Sequence, residues 1–324
     1  MKIVTLDWYW GRRMAFVFGD RLVDLNGAYA AYLHQVVGIP REAAYPRAKS
    51  EMPANIVAML QIQGGLDRAG ELAEWISRML DADPERLASI TWNFDEVKFA
   101  PTVPNPSKIW CQGANYRDHK LEMASRMNTD SIPDRLRGFL KAPSALIGAF
   151  DDIIYPSQTT WVEHEIELAA VIGKPARYVP EERALDYVAG YVAFNDISSR
   201  DIPKLDQGRM DRGKGFDTFA VMGPWMVTKD EIPDPYNLTL KLLVNGQNRQ
   251  NGNTRDMIFS ISNQIAWLSR SMTLLPGDVI STGTPSGTGR IEIGDVLEGS
   301  VEHLGYQRNR VIGDSMDLNI GQSS

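Results

Sequence analysis

The chain has 324 residues, of which 43% are hydrophobic and 23% charged, and its formal net charge is −7 at pH 7. This composition is typical of a soluble globular protein with one large or two ordinary domains. The negative charge argues against a nucleic-acid partner, whose binding needs clustered lysine and arginine, and no apolar run is long enough to predict a membrane span.

The N-terminal residues predict no signal peptide, because they lack a long apolar core followed by a small-residue cleavage site. The single cysteine, Cys111, cannot form an internal disulfide, so we expect a reducing, cytoplasmic location. Cys111 lies in the apolar run KIWCQG. A buried structural thiol is therefore a better interpretation than a nucleophile.

Short strands and helices alternate over the first hundred residues. The predicted strands are KIVTLDW, RMAFVFG and RLVDLN, and the predicted helices are NIVAMLQIQ and LAEWISRMLDA. The stretch FAPTVPNPSKI then interrupts regular structure with its prolines. We therefore expect a smaller α/β domain over residues 1–104 and a main domain over residues 105–324.

The rest of the chain is rich in predicted strands. These are KIWCQG, HEIELAAVIG, VAGYVAFND, FAVMGPWMVT, NLTLKLLVNG and DVISTG, separated by turn-forming residues. Helices are predicted only over VPEERALDYV, with Pro180 in its first turn, and over DMIFSISNQIAWLSRSM, with apolar residues on one face. Many strands with few helices favour an α+β, β-rich fold whose core is a rolled or closed sheet.

The segment WVEHEIELAAVIG carries glutamates on alternate positions of an apparent strand. Glu163, Glu165 and Glu167 would share one side and repel one another unless water, a basic side chain or a metal ion lay between them. Carboxylates whose Cβ atoms are about 6–7 Å apart can reach one hard cation such as Mg²⁺. Asp196, at the end of an apolar strand, is the best candidate for a third acidic ligand. The alternative is a solvated strand face with alternating acids. His164 alternates with the glutamates, so we expect it to point away from them.

The segment GANYRDHKLEM predicts a turn followed by a short helix. His119 and Glu122 are three residues apart and would face the same way on a helical turn. A carboxylate beside an imidazole fixes its tautomer and raises its basicity, which is the arrangement that activates a water molecule. The alternative is an ordinary His–Glu contact on an exposed helix.

Two glycine-rich segments hold further candidates. Lys214, in GRMDRGKGFDTF, could balance the carboxylates or hold an anionic substrate, and the alternative is a surface lysine. The turn STGTPSGTG exposes backbone N–H groups that could bind a carboxylate. It is not a nucleotide P-loop, because no lysine follows its glycines.

Several segments in chain order resemble the fumarylacetoacetate hydrolase family. They are GANYRDHKLEM, FLKAPSALIG, EHEIELAAVIGK, GYVAFNDISSRD, KGFDTFAVMGPWMV, NGNTRDMIFS and LLPGDVISTGTPSGTG. The resemblance covers roughly residues 105–303, and the first hundred residues are similar to the variable N-terminal domain of longer bacterial members. It implies a mixed rolled β-sheet core, a homodimer, and one Mg²⁺ or Mn²⁺ ion, which Ca²⁺ could replace in crystals.

The same resemblance implies roles for individual residues. The metal ligands fall on Glu165, Glu167 and Asp196, so that a cation lies between the paired glutamates and Glu163 is not a ligand. The catalytic residues fall on His119 and Glu122, in a loop that closes over the substrate, and on Lys214. The residues implied in substrate binding are Arg200, Thr284 and, near the pocket, Lys141.

The activity that the resemblance implies is hydrolysis of a carbon–carbon bond in a 2,4-dioxo acid of the acylpyruvate or fumarylacetoacetate type. His119, oriented by Glu122, would deprotonate a water molecule, and the pyruvate enolate that leaves would be stabilised by the metal and Lys214. Decarboxylation, isomerisation or hydration of a 2-oxo acid in aromatic or sugar-acid catabolism would use the same groups. A non-catalytic binding protein on the same fold is the remote alternative.

Two departures from the family pattern bear on specificity. Many relatives read SARDxQ where this chain reads SSRDIP, so Pro203 replaces a glutamine and disfavours oxaloacetate decarboxylation. The tripeptide Trp-Cys-Gln before Gly113 is also unusual and predicts a bulkier pocket.

Overall fold

The structure is a computed structural model, which describes residues 1–9, 11–127 and 135–314, without the side chains of residues 123–127. Strands and helices alternate in the N-terminal part. Its strands are β1 (Lys2–Trp8), β2 (Gly11–Phe18), β3 (Arg21–Asp24), β4 (Thr91–Asn93) and β5 (Lys98–Phe99). Its helices are α1 (Leu25–Gln35), α2 (Arg41–Glu51), α3 (Ile56–Gln61) and α4 (Gly65–Ala82).

Strands dominate the remainder of the chain. They are β6 (Ile109–Gln112), β7 (Gly138–Lys141), β8 (Leu146–Ile147), β9 (Ile153–Tyr155), β10 (Val162–Glu163), β11 (Ile166–Ile172), β12 (Val188–Asp196), β13 (Ser198–Ser199), β14 (Ala220–Met222), β15 (Met226–Thr228), β16 (Thr239–Val244), β17 (Gln247–Asn253), β18 (Val279–Ser281), β19 (Arg290–Ile291), β20 (Val296–Val301) and β21 (Tyr306–Gly313). The helices are α5 (Arg117–Met127), α6 (Ile202–Leu205), α7 (Asp211–Lys214) and α8 (Ile261–Ser271).

The strands form three sheets. The largest has 13 strands and runs in the order β4-β3-β2-β1-β15-β12-β11-β18-β6-β7, with β5, β8 and β14 beside this path. The others are β13-β10-β19 and β17-β16-β20-β21-β9. Most pairs are antiparallel, whereas β6 with β18, β8 with β14 and β9 with β21 are parallel. The predicted α+β, β-rich class with mixed sheets is confirmed, and the strand order of the described residues is open rather than closed into a barrel.

The N-terminal strands extend the main sheet instead of forming a separate one. Lys2 and Ile3 of β1 are the register partners of Val227 and Met226 in β15. Ile3, Phe16 and Val192 belong to the same buried apolar cluster. The two parts of the chain therefore share a sheet and an apolar core. The domain boundary near residue 104 stays a prediction.

Two features of the predicted segments are wrong in detail. The segment HEIELAAVIG is not one strand with the residues before it, because β10 pairs with β13 and β19, whereas β11 pairs with β12 and β18. The segment FAVMGPWMVT is divided at Gly223–Pro224 into β14 and β15.

The helices differ from their predictions for local reasons. VPEERALDYV, predicted as one short helix, forms a 3₁₀ helix over Glu181–Tyr187. Helix α8 begins at Ile261 and not earlier, because Ser260 and Asn263 cap it reciprocally through side-chain and backbone groups. Helices α1 and α2 were not predicted, and α2 contains Pro46, which argues against a helix in any sequence-based reading.

Candidate active site

One cavity of about 370 Å³ collects side chains from distant parts of the chain. The residues predicted for the site that line it are His119, Glu165, Glu167, Asp196, Arg200, Lys214 and Thr284. Glu122 and Lys141 do not line it, but each contacts a residue that does. The structure therefore brings the predicted residues together, while the role of each stays a prediction.

Glu165, Glu167 and Asp196 form the acidic cluster of this cavity. Each residue contributes one carboxylate oxygen to a group of three that lie within 4.8 Å of one another, and all three residues are buried. The pairing of β11 with β12 accounts for this proximity, since the amide of Asp196 donates to the carbonyl of Glu165 at 2.9 Å. The alternative of a solvated strand face is wrong, because each of the three residues is at most 5% exposed.

Two buried lysines contact the acidic cluster. The Nζ of Lys214 donates to Glu165 Oε2 at 2.8 Å and to Asp196 Oδ2 at 2.7 Å. The Nζ of Lys141 donates to Asp196 Oδ1 at 2.6 Å and to the carbonyl of Ile197 at 3.0 Å. Lys214 is 2% exposed, so the alternative of a surface lysine is wrong, and Lys141 lies behind Asp196 rather than at the cavity surface.

Arg200 joins the acidic cluster to Glu163. Its Nε donates to Glu163 Oε2 at 2.7 Å, and its Nη2 donates to Glu165 Oε1. The second oxygen of Glu163 accepts from the indole N–H of Trp161 at 3.0 Å. Glu163 thus lies on the far side of the guanidinium from Glu165, and it is not part of the acidic cluster.

The surroundings shift the pKa values of the glutamates in opposite directions. Burial would raise the pKa of Glu165, but Arg200 and Lys214 outweigh burial and hold it well below its usual range. Burial, together with the charges of Asp196 and Glu165, raises the pKa of Glu167 well above its usual range. Glu167 accepts hydrogen bonds from the hydroxyl of Ser281 and the amide of Gly283, and no lysine or arginine among the described residues pairs with it.

The acidic cluster fits a divalent cation. Ligands on opposite sides of Mg²⁺, Mn²⁺ or Ca²⁺ are about 4–5 Å apart, which matches the spread of the carboxylate oxygens. Oxygen donors are also the ligand type that these ions prefer. A cation beside Glu167 would balance the charge of this carboxylate, with which no described lysine or arginine pairs. The cluster could therefore bind a divalent metal ion.

His119 and Glu122 form the predicted pair at the start of α5. His119 Nδ1 lies 3.3 Å from Glu122 Oε2, and the same oxygen accepts from the amide of Gly287 at 3.2 Å. Gly287 has φ of +94°, and a Cβ atom there would lie 2.1 Å from the carbonyl oxygen of Arg249. Only glycine fits at this position. The backbone amides of the glycine-rich turn bind carboxylates of the protein itself, since Gly287 donates to Glu122 and Gly283 donates to Glu167.

The hydroxyl of Thr284 is held on both sides. It donates to the carbonyl of Ile166 at 2.8 Å and accepts from the side-chain amide of Gln250 at 2.7 Å. The Oε1 of Gln250 lies 2.9 Å from His164 Nδ1. His164 is fully buried and is not part of the acidic cluster.

Sequence reasoning missed several residues of the cavity. Arg137, Phe139 and Met210 line it. Phe139 lies in FLKAPSALIG and Met210 in GRMDRGKGFDTF, but no role was predicted for either, and Arg137 belongs to no segment that was singled out. Gln112 also lines the cavity, and it belongs to the tripeptide Trp-Cys-Gln from which a bulkier pocket was predicted. Gln250 was missed because its role depends on contacts with residues distant in the chain.

Residues 108–312 match the family model of the fumarylacetoacetate (FAA) hydrolase C-terminal domain. The chain therefore belongs to the fumarylacetoacetate hydrolase family of enzymes, and the predictions of family and of enzymatic activity are confirmed. It is 40% identical over 233 residues to the 2,4-didehydro-3-deoxy-L-rhamnonate hydrolase of Sphingomonas sp. (strain SKA58), an alignment that covers 69% of this chain and 80% of the relative.

Solved structures of hydrolases and isomerases share the fold. The maleylpyruvate hydrolase of Sphingobium sp. SYK-6, in complex with manganese(II) and pyruvate, is 30% identical with a TM-score of 0.70, covering 97% of this chain and 100% of that chain. The 5-carboxymethyl-2-hydroxymuconate delta-isomerase of Mycobacterium smegmatis is 29% identical with the same TM-score and coverage. Within the described residues, no helix combines the length and the apolar character needed to cross a membrane.

Proposed function

We propose that this enzyme hydrolyses the carbon–carbon bond between C3 and C4 of a 2,4-dioxo acid, with a divalent cation held by Glu165, Glu167 and Asp196. The observation that carries the proposal is the convergence of His119 and the acidic cluster on one cavity. The names of two relatives support the substrate class. A 2,4-didehydro-3-deoxy acid has oxo groups on both sides of a methylene, and maleylpyruvate contains a pyruvate unit attached to an acyl group.

The His–Glu pair would supply the attacking hydroxide. Glu122 can only accept, so the Nδ1 of His119 carries the hydrogen of the contact and its Nε2 keeps a lone pair. That lone pair takes a proton from water, and the hydroxide adds to the C4 carbonyl. The bond between C3 and C4 then breaks, C4 leaves as a carboxylic acid, and C3 takes a proton to complete pyruvate.

Negative charge develops on the C2 oxygen when C3 receives the bonding electrons. A divalent cation in the acidic cluster would act as a Lewis acid toward the 2-oxo acid end of the substrate and stabilise this enolate. The Nζ of Lys214 has three N–H donors, of which the contacts to Glu165 and Asp196 use two. The third can donate to the enolate oxygen, so Lys214 contributes where charge develops.

Arg200, Thr284 and Lys141 are proposed for substrate binding in different senses. Arg200 and Thr284 line the cavity and can contact the carboxylate or oxo end directly. Lys141 acts on the substrate only through Asp196, to which it donates. We therefore assign Lys141 to the orientation of Asp196 rather than to substrate contact.

Isomerisation of a 2-oxo acid is the second candidate, because the isomerase of Mycobacterium smegmatis has the same TM-score as the maleylpyruvate hydrolase. Isomerisation needs only the movement of protons, whereas hydrolysis needs an activated water molecule. Decarboxylation is the weaker candidate, since Pro203 packs under Gly213 instead of supplying a polar group to the cavity.

Two further features remain proposals. A cytoplasmic location rests on the single cysteine, which is buried and without a disulfide partner. A homodimer rests on the family resemblance alone, and light scattering coupled to size-exclusion chromatography would measure it.

The proposal is tested with acetylpyruvate (2,4-dioxopentanoate) and a panel of other 2-oxo acids, followed by identification of the products. Pyruvate and acetate should appear in equal amounts, EDTA should abolish their release, and Mg²⁺ or Mn²⁺ should restore it. His119→Ala should lose cleavage while it still binds metal, whereas His34→Ala, an exposed histidine, should be unaffected. Metal binding without turnover of any 2-oxo acid would instead favour a binding protein.

A further inference from the structure

Glu163 is a buried carboxylate that neither binds the cation nor activates water in the proposed function. It is 1% exposed and lies one residue before His164 at the end of β10. Burial of a carboxylate is unfavourable unless its charge is balanced and its oxygens accept hydrogen bonds. Both oxygens of Glu163 do accept, one from Arg200 and one from Trp161. Glu163 is thus a fourth buried acid beside the acidic cluster, and its contact with Arg200 indicates its role.

Arg200 contacts both Glu163 and Glu165. Its Nε donates to Glu163 and its Nη2 donates to Glu165, so two neighbouring nitrogens of one guanidinium are divided between two carboxylates. A guanidinium with a single carboxylate partner commonly donates both nitrogens to it in a bidentate pair, which is the stronger arrangement. Glu163 therefore prevents Arg200 from pairing with Glu165 in that way.

This division matters because Glu165 is also the proposed ligand of the cation. Lys214 already donates to its second oxygen at 2.8 Å, so Glu165 has cationic donors on both sides. A bidentate Arg200 would add to that competition and would place a further N–H where the metal must bind. A carboxylate held by two protein cations is a poor ligand for a third cation.

The backbone holds Glu163 and Arg200 in register. Glu163 of β10 is the register partner of Ser198 in β13, and the amide of Arg200 donates to the carbonyl of Trp161 at 2.9 Å. Glu163 and the guanidinium are thus fixed by the same short antiparallel ladder. The indole N–H of Trp161 then orients the carboxylate from the other side.

We infer that Glu163 is a positioning residue, which shares Arg200 with Glu165 and thereby keeps Glu165 available to the divalent cation. This inference rests on the proposed metal site. It assigns Glu163 no contact with the metal or the substrate, and it predicts that loss of Glu163 weakens metal binding only when Arg200 is present.

The test is a double-mutant cycle read by titration calorimetry with Mn²⁺, a readout that does not depend on turnover. Glu163→Gln should raise the Kd for Mn²⁺ by about tenfold or more, in the range seen for groups that orient metal ligands. In the Arg200→Met background, the same substitution should change Kd less than about twofold, because there is no guanidinium left to release. The matched control is Glu298→Gln, at a half-exposed glutamate that pairs with Arg308, and it should leave Kd unchanged.

A milder variant covers the case in which Glu163→Gln does not fold. Trp161→Phe removes one hydrogen bond from Glu163 and should raise Kd by about two- to threefold in the presence of Arg200 and not in its absence. An unchanged Kd in both single variants, or an equal loss with and without Arg200, would overturn the inference while the proposed function stands. A wild-type protein that does not bind Mn²⁺ would overturn both.

Discussion

The side-chain amide of Gln250 donates to the hydroxyl of Thr284 at 2.7 Å and so connects the five-stranded sheet to the cavity. Gln250 is fully buried on β17, and its Nε2 also donates to the carbonyl of Pro285 at 2.9 Å. Its Oε1 accepts from the amide of Ile166 at 3.1 Å. One side chain therefore ties the start of β11 to the loop that carries Thr284.

Replacement of Gln250 should destabilise the protein. Gln250→Leu would leave the amide of Ile166 and the carbonyl of Pro285 without partners in a buried region, so we expect a loss of at least about 2 kcal/mol in the free energy of unfolding. Urea denaturation measures it. Gln247→Leu, an exposed position on the same strand, should change stability by less than about 0.5 kcal/mol. A similar effect at both positions would mean that the buried hydrogen bonds are not responsible.

Glu122 should matter for the rate and not for the metal. Glu122→Gln keeps an oxygen that can accept from Gly287 but removes the negative charge beside His119. We expect kcat for acetylpyruvate to fall by about 10²–10⁴-fold, the range of general acid–base contributions, with an unchanged Kd for Mn²⁺. Steady-state kinetics and calorimetry measure the two quantities. A rate within a factor of two of wild type would rule out the proposed pair.

Removal of a proposed ligand should have the opposite pattern. Glu165→Ala should raise the Kd for Mg²⁺ and Mn²⁺ by more than about tenfold, since it removes one carboxylate of the acidic cluster. Titration calorimetry measures the affinity. The exposed Glu231→Ala serves as a control, and an isotherm for Glu165→Ala like that of wild type would count against the metal site.

Lys141 should contribute to folding through Asp196. Burial lowers the pKa of Lys141, and Asp196 opposes this effect through the contact at 2.6 Å. Lys141→Met leaves Asp196 with one lysine partner fewer in a buried site, so the free energy of unfolding should fall by about 3–5 kcal/mol. Chemical denaturation with and without Mn²⁺ measures the loss. Lys98→Met, at an exposed lysine that pairs with the half-buried Asp151, should be close to neutral.

Asp201 should make the protein sensitive to acid. Burial would raise its pKa, but hydrogen bonds from Thr159, Thr160 and Ser199 outweigh burial and hold it well below its usual range. A depressed pKa in the folded state gives stability that is present above the unfolded pKa of about 3.9 and is lost as pH falls below it. The difference in unfolding free energy between wild type and Asp201→Asn should therefore shrink from pH 6 to pH 3. A difference independent of pH would contradict this.

Local patterns predicted much of the fold. β1 coincides with the predicted KIVTLDW, and β12 with the predicted VAGYVAFND, because both are apolar runs bounded by turn residues. The spacing of His119 and Glu122 also predicted their contact, since residues three apart on a helix face the same way. These features depend on neighbours in the chain, which a sequence displays directly.

Other features depend on which distant segments meet. Lys214 follows a polar loop and was compatible with a surface position, yet it is buried against Glu165 and Asp196. Gln250 lies on β17, whose other residues are exposed or half-buried, and its contacts with Ile166 and with the loop at Thr284 and Pro285 account for its burial. Helix α2 forms despite Pro46, because Ala44 and Ala48 pack into the apolar core.

The sequence by itself determined the family, the strand-rich class and the acids and bases available for chemistry, because these depend on residue types and short spacings. The tertiary structure decided how the charges are paired. Strand register and burial decide which carboxylate pairs with Arg200, Lys141 or Lys214. The strength of each charge interaction depends on the distance between the charges and on the exclusion of water. Those two quantities exist only once the chain is folded.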